Sequence, residues 1–429
     1  MFGFANFLLL ALFAAAVFDL IFALARGGGL RGALHGLWNT PHLLFGQQLA
    51  EWRLQLGRIL FAAGLAAYEI SVVFCNSMAR QNWAWVQGVM SPVLEWLAFL
   101  CFGAKILFGT RYTWRELLAG GALYFIARWV YFNSQNIWWI GIVMAVLAAK
   151  DVPLRRPLQV YFASGCAAMA VVLALHFAGI VAPDLTSERM GALRGTYGYG
   201  HPNTFGGLVF GLVLAYALLR AQKVRWVDCL LVFAVGVFLL VGPASRSAAL
   251  CTLALAVGLV FCRLRAGHSV PRWWPGTCAG MVGLTAAVSY LLPLLVIKVG
   301  PWNNDIGPAW LAKLDSLLTC RISLTWMAYR LLDVKIAGQV FNWPTVDNSF
   351  AFALFQFGPV VAALLGILFA AALLGHAKQG RRVEVCCLFA MLAYAYMEVQ
   401  PFHLTTNPTA LLLCGAVFAQ TSARWQKIE

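Results

Sequence analysis

Long apolar blocks dominate the pattern of this chain, and short polar segments separate them. Most blocks run for about 15–25 residues, the length that a helix needs to cross a hydrocarbon core of about 30 Å. The strict apolar–polar alternation of a membrane-spanning β-barrel does not occur. The pattern therefore predicts an all-α fold, a polytopic transmembrane bundle of about 12–13 helices that forms a single integral membrane domain over residues 1–429. The spans are predicted at residues 4–24, 57–76, 92–109, 117–131, 137–149, 158–181, 204–219, 227–242, 248–262, 277–297, 348–374, 383–399 and 408–423.

Composition and charge agree with a membrane protein. The chain is 62% hydrophobic with a mean hydropathy of +0.77, and 11% of its residues are charged, whereas a soluble domain has about 25%. In a soluble protein, a net charge of +15 would suggest nucleic-acid binding. Here most lysines and arginines fall in alternate loops, as in the cytoplasmic loops of membrane proteins, so no nucleic-acid partner is expected. The C-terminus is then expected inside.

Cysteines and the N-terminus add two smaller expectations. The 11 cysteines lie in apolar segments without a CxxC pair, so neither a disulfide framework nor a metal site is expected. The first apolar block lacks a basic n-region and is therefore interpreted as the first membrane helix rather than a cleavable signal.

Two long loops are predicted on the extracytoplasmic face, at residues 182–203 and 300–346. Apolar residues at helical spacing, with Asp, Lys and Arg between them, predict one or two amphipathic helices over residues 311–332. The second loop is therefore expected to be partly helical. Acidic and basic residues gather at the same outer ends of the spans, which predicts a polar cavity open to the outer face.

One polar stretch, "RGTYGYGHPNTFGGL" at residues 194–208, interrupts the apolar pattern. Gly195, Gly198 and Gly200 allow tight turns and a close approach to a ligand. Pro202 suits the first position of a helix, and an exposed helix start attracts anions. The stretch is thus a candidate binding segment, although a well-capped loop without a ligand would have the same composition.

Four further residues of this stretch carry candidate chemistry. His201 can exchange a proton near neutral pH, Tyr197 and Tyr199 can stack on sugar rings, and Asn203 can bind free N–H groups at the helix start.

Three arginines on the predicted outer side stand out: Arg194, Arg246 in "GPASRSAAL" and Arg321 in "LDSLLTCRISL". An arginine near the bilayer is costly unless it is paired or lines a wet cavity. Its planar guanidinium binds phosphate in a bidentate manner, so the three together would suit the diphosphate of a polyprenyl lipid. The alternative for each is a carboxylate partner or a helix C-terminus.

The motifs "RGTYGYGHPNTFG", "ASRSA", "LDSLLTCRISL", "VDNSFAFALFQFGPV" and "MEVQPFHLTTNP" follow one another in this order. In this order they resemble bacterial O-antigen/capsular polysaccharide polymerases of the Wzy type, within the O-antigen polymerase/ligase superfamily. The resemblance is clearest over residues 193–413. It implies a GT-C-type glycosyltransferase without metal or cofactor that acts at the outer face of the bacterial cytoplasmic membrane. Its substrate would be an undecaprenyl-diphosphate-linked oligosaccharide, joined to another lipid-linked repeat unit.

The resemblance also implies roles for individual residues. Asp347 becomes the first candidate to take the proton of the acceptor hydroxyl, because ligases of the superfamily tend to show His-Asn where this chain has Asp347-Asn348. The alternative for Asp347 is a helix N-cap. His201 is the second candidate base. The expected diphosphate contacts are Arg194, Arg321 and, less directly, Arg246, and the expected sugar or acceptor contacts are Tyr197, Tyr199, Asn203, Asn348 and Glu398.

Partners and alternatives complete the expectation. Membrane lipid, a flippase and a chain-length regulator are the expected partners. A ligase that transfers the glycan to another acceptor remains an alternative, and so does a lipid-linked oligosaccharide flippase. A flippase needs polar groups through the depth of its bundle, whereas here the charges other than Asp19 gather at the outer end.

Overall fold

The computed structural model describes residues 2–25, 29–46, 50–181, 187–189, 192–296 and 308–418. These residues are almost entirely helical, and the only sheets among them are two short antiparallel pairs. The chain divides into two compact units. The first comprises Met1–Arg128, Trp139–Leu208 and Ala410–Glu429, and the second comprises Trp129–Trp138 and Val209–Thr409.

The first unit contains most of the N-terminal helices. They are α1 (Phe2–Ala25), α2 (Gly29–Asn39), α3 (Ala50–Cys75), α4 (Ala79–Asn82), α5 (Ser91–Phe108), α6 (Trp114–Ser134), α7 (Ile137–Ala148) and α8 (Arg155–Phe177). The stretch Trp129–Trp138, at the end of α6 and the start of α7, belongs to the second unit. A π-helical turn, Val86–Met90, precedes α5. The strands are β1 (His42–Leu43), which pairs with β2 (Arg111–Tyr112), and β3 (Ser187–Arg189), which pairs with β4 (Ala192–Arg194). Helix α3 packs against both α5 and α8.

Two buried lysines tie the ends of α5 and α7 together. Lys105 Nζ donates to Gly109 O at 2.9 Å, to Thr110 Oγ1 at 2.5 Å and to Lys150 O at 2.8 Å. Lys150 Nζ donates to Arg111 O at 2.6 Å and lies 3.4 Å from Glu116 Oε1. These bonds offset the cost of burying two ammonium groups. Both lysines therefore stabilise the fold. This role is separate from the effect that basic loop residues have on the orientation of the chain in the membrane.

The second unit contains the remaining long helices. Helix α9 (Pro202–Leu219) is divided between the units after Leu208, and it is followed by α10 (Trp226–Val241), α11 (Arg246–Leu264), α12 (Trp274–Leu291), α13 (Ala309–Leu317), α14 (Arg321–Leu331), α15 (Ser349–Phe352), α16 (Pro359–Lys378) and α17 (Arg382–Met397). A 3-10 segment, Pro408–Leu413, then leads into α18 (Cys414–Val417), and from Ala410 onward the chain belongs to the first unit. Helix α11 packs on α10 and α17, and α12 packs on α16.

Eight helical segments are long and apolar enough to span a membrane, which confirms an α-helical multi-pass membrane protein. They are Asn6–Ala25, Ala50–Cys75, Val86–Phe108, Arg155–Phe177, Pro202–Leu219, Arg246–Leu264, Trp274–Leu295 and Pro359–Lys378. Shorter apolar helices occur at Ile137–Ala148, Trp226–Val241 and Pro408–Val417. Each predicted span overlaps a helix, and residues 419–423 of the last one lie outside the described residues. The full count of 12–13 crossings stays a prediction.

The predicted span over residues 348–374 is wrong at its start. Helix α15 is only one turn long and passes into a π-helical turn, Ala353–Phe357, before Gly358 separates it from α16. Gly358 has φ +88°, and a Cβ there would lie 2.1 Å from Ile336 O. Only glycine accepts both the backbone angle and this crossing of the preceding loop. Pro359 then begins the membrane helix at a position that proline favours.

The large loop contributes a small helical cap, defined here as residues 308–346. Helices α13 and α14 confirm the predicted amphipathic helices, and residues 300–307 of the predicted loop lie outside the described residues. Leu311 and Ile322 form one apolar cluster with Val296, at the end of the segment that follows α12. Ala328 joins a second cluster with Phe355 of the π-helical turn. The cap is thus packed onto the second unit through both helices.

Candidate functional site

The glycine-rich segment is held in place by two neighbouring helices. Tyr197 and Gly198 have φ +51° and +81°. Just beyond the end of α3, Met78 N–H donates to Gly198 O at 2.8 Å. A Cβ on Gly198 would lie 3.0 Å from the Cβ of His176 in α8. The predicted turn is therefore confirmed at Gly198, where both the positive φ and the close approach to α8 require glycine.

Arg194 lies against the start of α9, which begins at Pro202 as predicted. The guanidinium is buried, and its Nη2 donates to Asn203 Oδ1 at 2.9 Å. A helix N-terminus carries a partial positive charge. The hydrogen bond to Asn203 places the positively charged guanidinium of Arg194 beside this helix end. Two adjacent positive groups of this kind favour an anion near them. We call Arg194, His201 and Asn203 the Arg194 cluster.

His201 caps α9 with its ring. Its Nδ1 accepts the Asn203 N–H at 3.1 Å, and the side chain is exposed. An Nδ1 that accepts a hydrogen bond is unprotonated, so the neutral ring carries its proton on Nε2. In this tautomer Nε2 donates rather than accepts. The geometry therefore favours His201 as a hydrogen-bond donor to an anion over the base expected from the sequence.

The two tyrosines of the segment differ in exposure. Tyr199 is completely buried and packs on Phe205 with ring centroids 5.7 Å apart. The expected role of Tyr199 as a sugar platform is therefore wrong, because its ring has no surface to offer. Tyr197 is half-buried and stacks one face on Phe205 at 5.0 Å. It stays a candidate for sugar contact through its remaining surface.

In the second unit, Arg321 forms a buried ion pair with Glu398. Arg321 Nη2 lies 2.5 Å from Glu398 Oε1 and 3.3 Å from Ser247 Oγ. Its Nη1 donates to Leu318 O at 2.9 Å, and its Nε donates to Met397 O. These bonds use four of the five guanidinium N–H groups. The structure thus gives Arg321 a carboxylate partner, the alternative that the sequence left open, and its contact with a diphosphate stays a prediction.

Arg321 is the first residue of α14, where a cation is unfavourable. Asp315 compensates from the end of α13. Its Oδ1 accepts the N–H of Ile322 at 2.7 Å and that of Ser323 at 3.2 Å. Cys320, which directly precedes α14, is left-handed at φ +63° and its side chain makes no cap bond. The helix is therefore capped by Asp315, five residues before Cys320.

Glu398 is the centre of this second group of residues. Its backbone carbonyl accepts the Ser349 hydroxyl at 2.5 Å. The Asp347 carboxylate is close enough to interact electrostatically with that of Glu398. We call Ser247, Arg321, Asp347, Ser349 and Glu398 the Glu398 cluster.

Asp347 and Asn348 divide two roles between them. Asn348 Oδ1 caps α15 by accepting the N–H groups of Phe350 and Ala351, each at 3.0 Å. Its Nδ2 donates to Ser289 Oγ and Tyr396 O, each at 3.0 Å. The expected sugar contact of Asn348 is therefore wrong, because its amide is used within the fold. Asp347 is half-buried and makes no hydrogen bond or ion pair with any described residue.

Arg246 is the exposed first residue of α11, directly before Ser247 of the Glu398 cluster. Sequence reasoning selected Arg246 but missed Ser247, Asp315 and Ser349. A signal for Asp315 exists in "LDSLLTCR", since an aspartate before a helix can act as its cap. Ser247 and Ser349 have no comparable signal, because their partners are distant in the chain.

The structure brings Arg194, His201 and Asn203 together in one unit, and Arg321, Asp347 and Glu398 together in the other. The single polar cavity expected from the sequence stays a prediction. Comparisons with protein-family models, characterised proteins and solved structures give no significant match. The functional argument therefore depends on the motifs and on the geometry of the two clusters.

Proposed function

We propose that this chain is a GT-C-type polysaccharide polymerase that joins undecaprenyl-diphosphate-linked repeat units at the outer face of the cytoplasmic membrane. The observation that carries the proposal is the state of Asp347. This half-buried carboxylate makes no hydrogen bond with any described residue, while Asn348 caps the helix and Arg321 neutralises Glu398. The neighbours of Asp347 thus perform the structural roles, and its carboxylate is available for a reaction.

In the proposed reaction, a hydroxyl of the acceptor sugar attacks the anomeric carbon of the donor. Asp347 accepts the hydroxyl proton, a new glycosidic C–O bond forms, and the bond from the anomeric carbon to the diphosphate oxygen breaks. A positioned base of this kind accelerates a reaction by roughly 10²–10⁴-fold. A half-buried position beside a buried ion pair suits a carboxylate that must be ionised to act.

The leaving group is undecaprenyl diphosphate, and its negative charge grows as the bond breaks. Fixed cationic donors stabilise such charge most effectively, because they need no reorganisation during the reaction. Arg194, held by Asn203 at the start of α9, is the proposed principal donor. His201 adds its Nε2–H, and Arg246 is a secondary contact. No metal is required in this scheme, so we expect activity to persist in a chelator.

A ligase would use the same chemistry with another acceptor, and the Asp347 position favours the polymerase. A flippase and a chain-length regulator are the proposed partners of the reaction.

The test compares surface and lipid-linked glycan from cells that lack this chain and carry wild type, Asp347→Asn or Asp333→Asn. Asp333 is an exposed carboxylate of the cap and serves as the matched control. We expect a polymer ladder with wild type and Asp333→Asn and single repeat units with Asp347→Asn, at equal amounts of protein in the membrane. A full ladder with Asp347→Asn would contradict the assignment of the base.

The deletion strain separates the function classes. Single repeat units on the outer face indicate a missing polymerase. Complete polymer stranded on its lipid carrier would instead indicate a ligase, and repeat units confined to the inner face would indicate a flippase.

A further inference from the structure

The outer surface of α13 is apolar although the helix lies in a polar loop. Trp310 and Leu317 are seven residues apart, so they lie on one face two turns apart. Their side chains are 55% and 74% exposed, whereas Leu311 and Asp315 on the opposite side are completely buried. Helix α13 therefore packs on the protein with one face and presents an apolar face outward. An exposed apolar surface of this kind marks an interaction site.

The position of α13 along the membrane normal follows from what it packs on. Leu311 of α13 and Ile322 of α14 form one cluster with Val296, and Leu292 packs against it. Leu292 belongs to the last turn of the candidate span Trp274–Leu295. The inner face of α13 is thus in contact with the last turn of a candidate membrane span.

Exposed apolar residues also occur on both sides of α13 along the chain. At the end of the same span, Leu291, Leu294 and Leu295 are exposed, as expected for residues that face lipid. Five more large apolar residues of the cap are exposed: Leu331, Val334, Ile336, Val340 and Trp343.

Cationic side chains accompany this surface. Lys313 is exposed on α13 between Trp310 and Leu317, and Arg330 and Lys335 are exposed farther along the cap. Tryptophan concentrates at the level of the lipid headgroups, and lysine and arginine near an anionic membrane surface are attracted to it. Apolar residues on one face with tryptophan and lysine among them are the composition of an interfacial helix.

We propose that the Trp310–Leu317 face of α13 is a lipid-binding surface that lies in the headgroup region of the bilayer, so that the cap is anchored to the membrane it rises from. The occupant is the bilayer itself, because the surface continues the lipid-facing residues of the adjoining span and carries cations suited to phosphate headgroups. The proposal needs only the multi-pass membrane protein and is independent of the proposed enzymatic function.

The experiment places the photoreactive residue p-benzoylphenylalanine at Leu317 in the full chain, reconstituted in nanodiscs of phosphatidylethanolamine and phosphatidylglycerol. After irradiation, mass spectrometry of the peptide that contains the probe measures the yield of lipid adduct. Ile367, which is 65% exposed on the span Pro359–Lys378, is the lipid-facing reference. Asp333, an exposed polar residue of the cap, is the matched control.

We expect a lipid-adduct yield at Leu317 comparable to that at Ile367 and severalfold above that at Asp333. A yield at Leu317 as low as at Asp333 would overturn the proposal, and so would a cross-link to a second copy of the chain in place of lipid. Should the Leu317 probe prevent folding, the probe at Trp310 replaces one aromatic ring with another on the same face and has the same expected result.

Lys313→Glu tests the electrostatic part. In the chain with the Leu317 probe, it should lower the phosphatidylglycerol adduct relative to the phosphatidylethanolamine adduct. An unchanged ratio would contradict the role of the cation.

Discussion

Arg194 and Arg321 are the same residue in similar settings, yet the structure uses them differently. Both are 7% exposed. Arg321 is the first residue of α14, and Arg194, the last residue of β4, donates to Asn203 in the first turn of α9. The hydrogen bond described for Arg194 goes to the uncharged amide of Asn203, whereas Arg321 is paired with the Glu398 carboxylate at 2.5 Å. Burial alone therefore does not show what role a buried arginine has, because the same exposure accompanies two different hydrogen-bond partners.

The same contrast holds for the two helix starts. Helix α14 is capped by the buried carboxylate of Asp315, which balances Arg321. Helix α9 is capped by the neutral ring of His201. This contact adds no negative charge at the positive end of the helix. A site for an anion needs this second arrangement, because a carboxylate at the helix start would repel the ligand.

Arg321→Ala should produce the largest effect on folding. It leaves the Glu398 carboxyl buried without its partner, and breaking one side of a buried pair costs about 3–5 kcal/mol. The thermal midpoint of the purified chain in nanodiscs measures the loss. The double variant Arg321→Met/Glu398→Gln should recover much of it, since no buried charge then remains. Equal destabilisation by the single and double variants would contradict the ion-pair explanation.

Arg194→Ala should break function rather than folding. Removing one donor to a developing negative charge lowers the turnover rate about 10²–10³-fold, and we expect only a small change in thermal midpoint. Transfer from a purified lipid-linked repeat unit is the measurement, with Arg330→Ala as the control because Arg330 is an exposed arginine of the cap. If Arg194→Ala unfolds the chain as Arg321→Ala does, the distinction between the two arginines fails.

Asp315→Ala and His201→Ala compare the two helix caps. Loss of a side-chain cap costs about 0.5–2 kcal/mol, and Asp315 should lie at the upper end because it is buried and also accepts the Ser323 hydroxyl at 2.8 Å. His201 is exposed, so its loss should cost less stability and more activity. Thermal midpoints and transfer rates of the two variants test this ordering. A larger stability loss for His201→Ala would reverse it.

Much of the fold could be predicted from local patterns. Every predicted span overlaps a helix, Pro202 begins α9, and the loop spacing anticipated α13 and α14. The start of the eleventh span could not be predicted, because the break at Gly358 depends on a crossing with Ile336, which lies 22 residues earlier in the chain. An apolar run does not show that another segment passes across it.

The candidate site was predictable in its residue types and not in their roles. Arg194, Arg321, Asp347 and Glu398 stand out as polar groups in an apolar chain. The partner of each is set by long-range packing, since Arg321 and Glu398 are 77 positions apart and Asn348 and Ser289 are 59 apart. Asn348 and Tyr199 were assigned to sugar binding for the same reason, because local sequence does not show that a side chain is buried or already hydrogen-bonded.

The amino-acid sequence by itself determined that this is a multi-pass helical membrane protein and where its polar chemistry lies, because hydrophobicity and helix signals act over a few neighbouring residues. Only the tertiary structure decided which carboxylate pairs with Arg321, which residues cap α9, α14 and α15, and which carboxylate has no partner among the described residues. Electrostatic compensation depends on distance in space, and the chain brings its opposite charges together only when it folds.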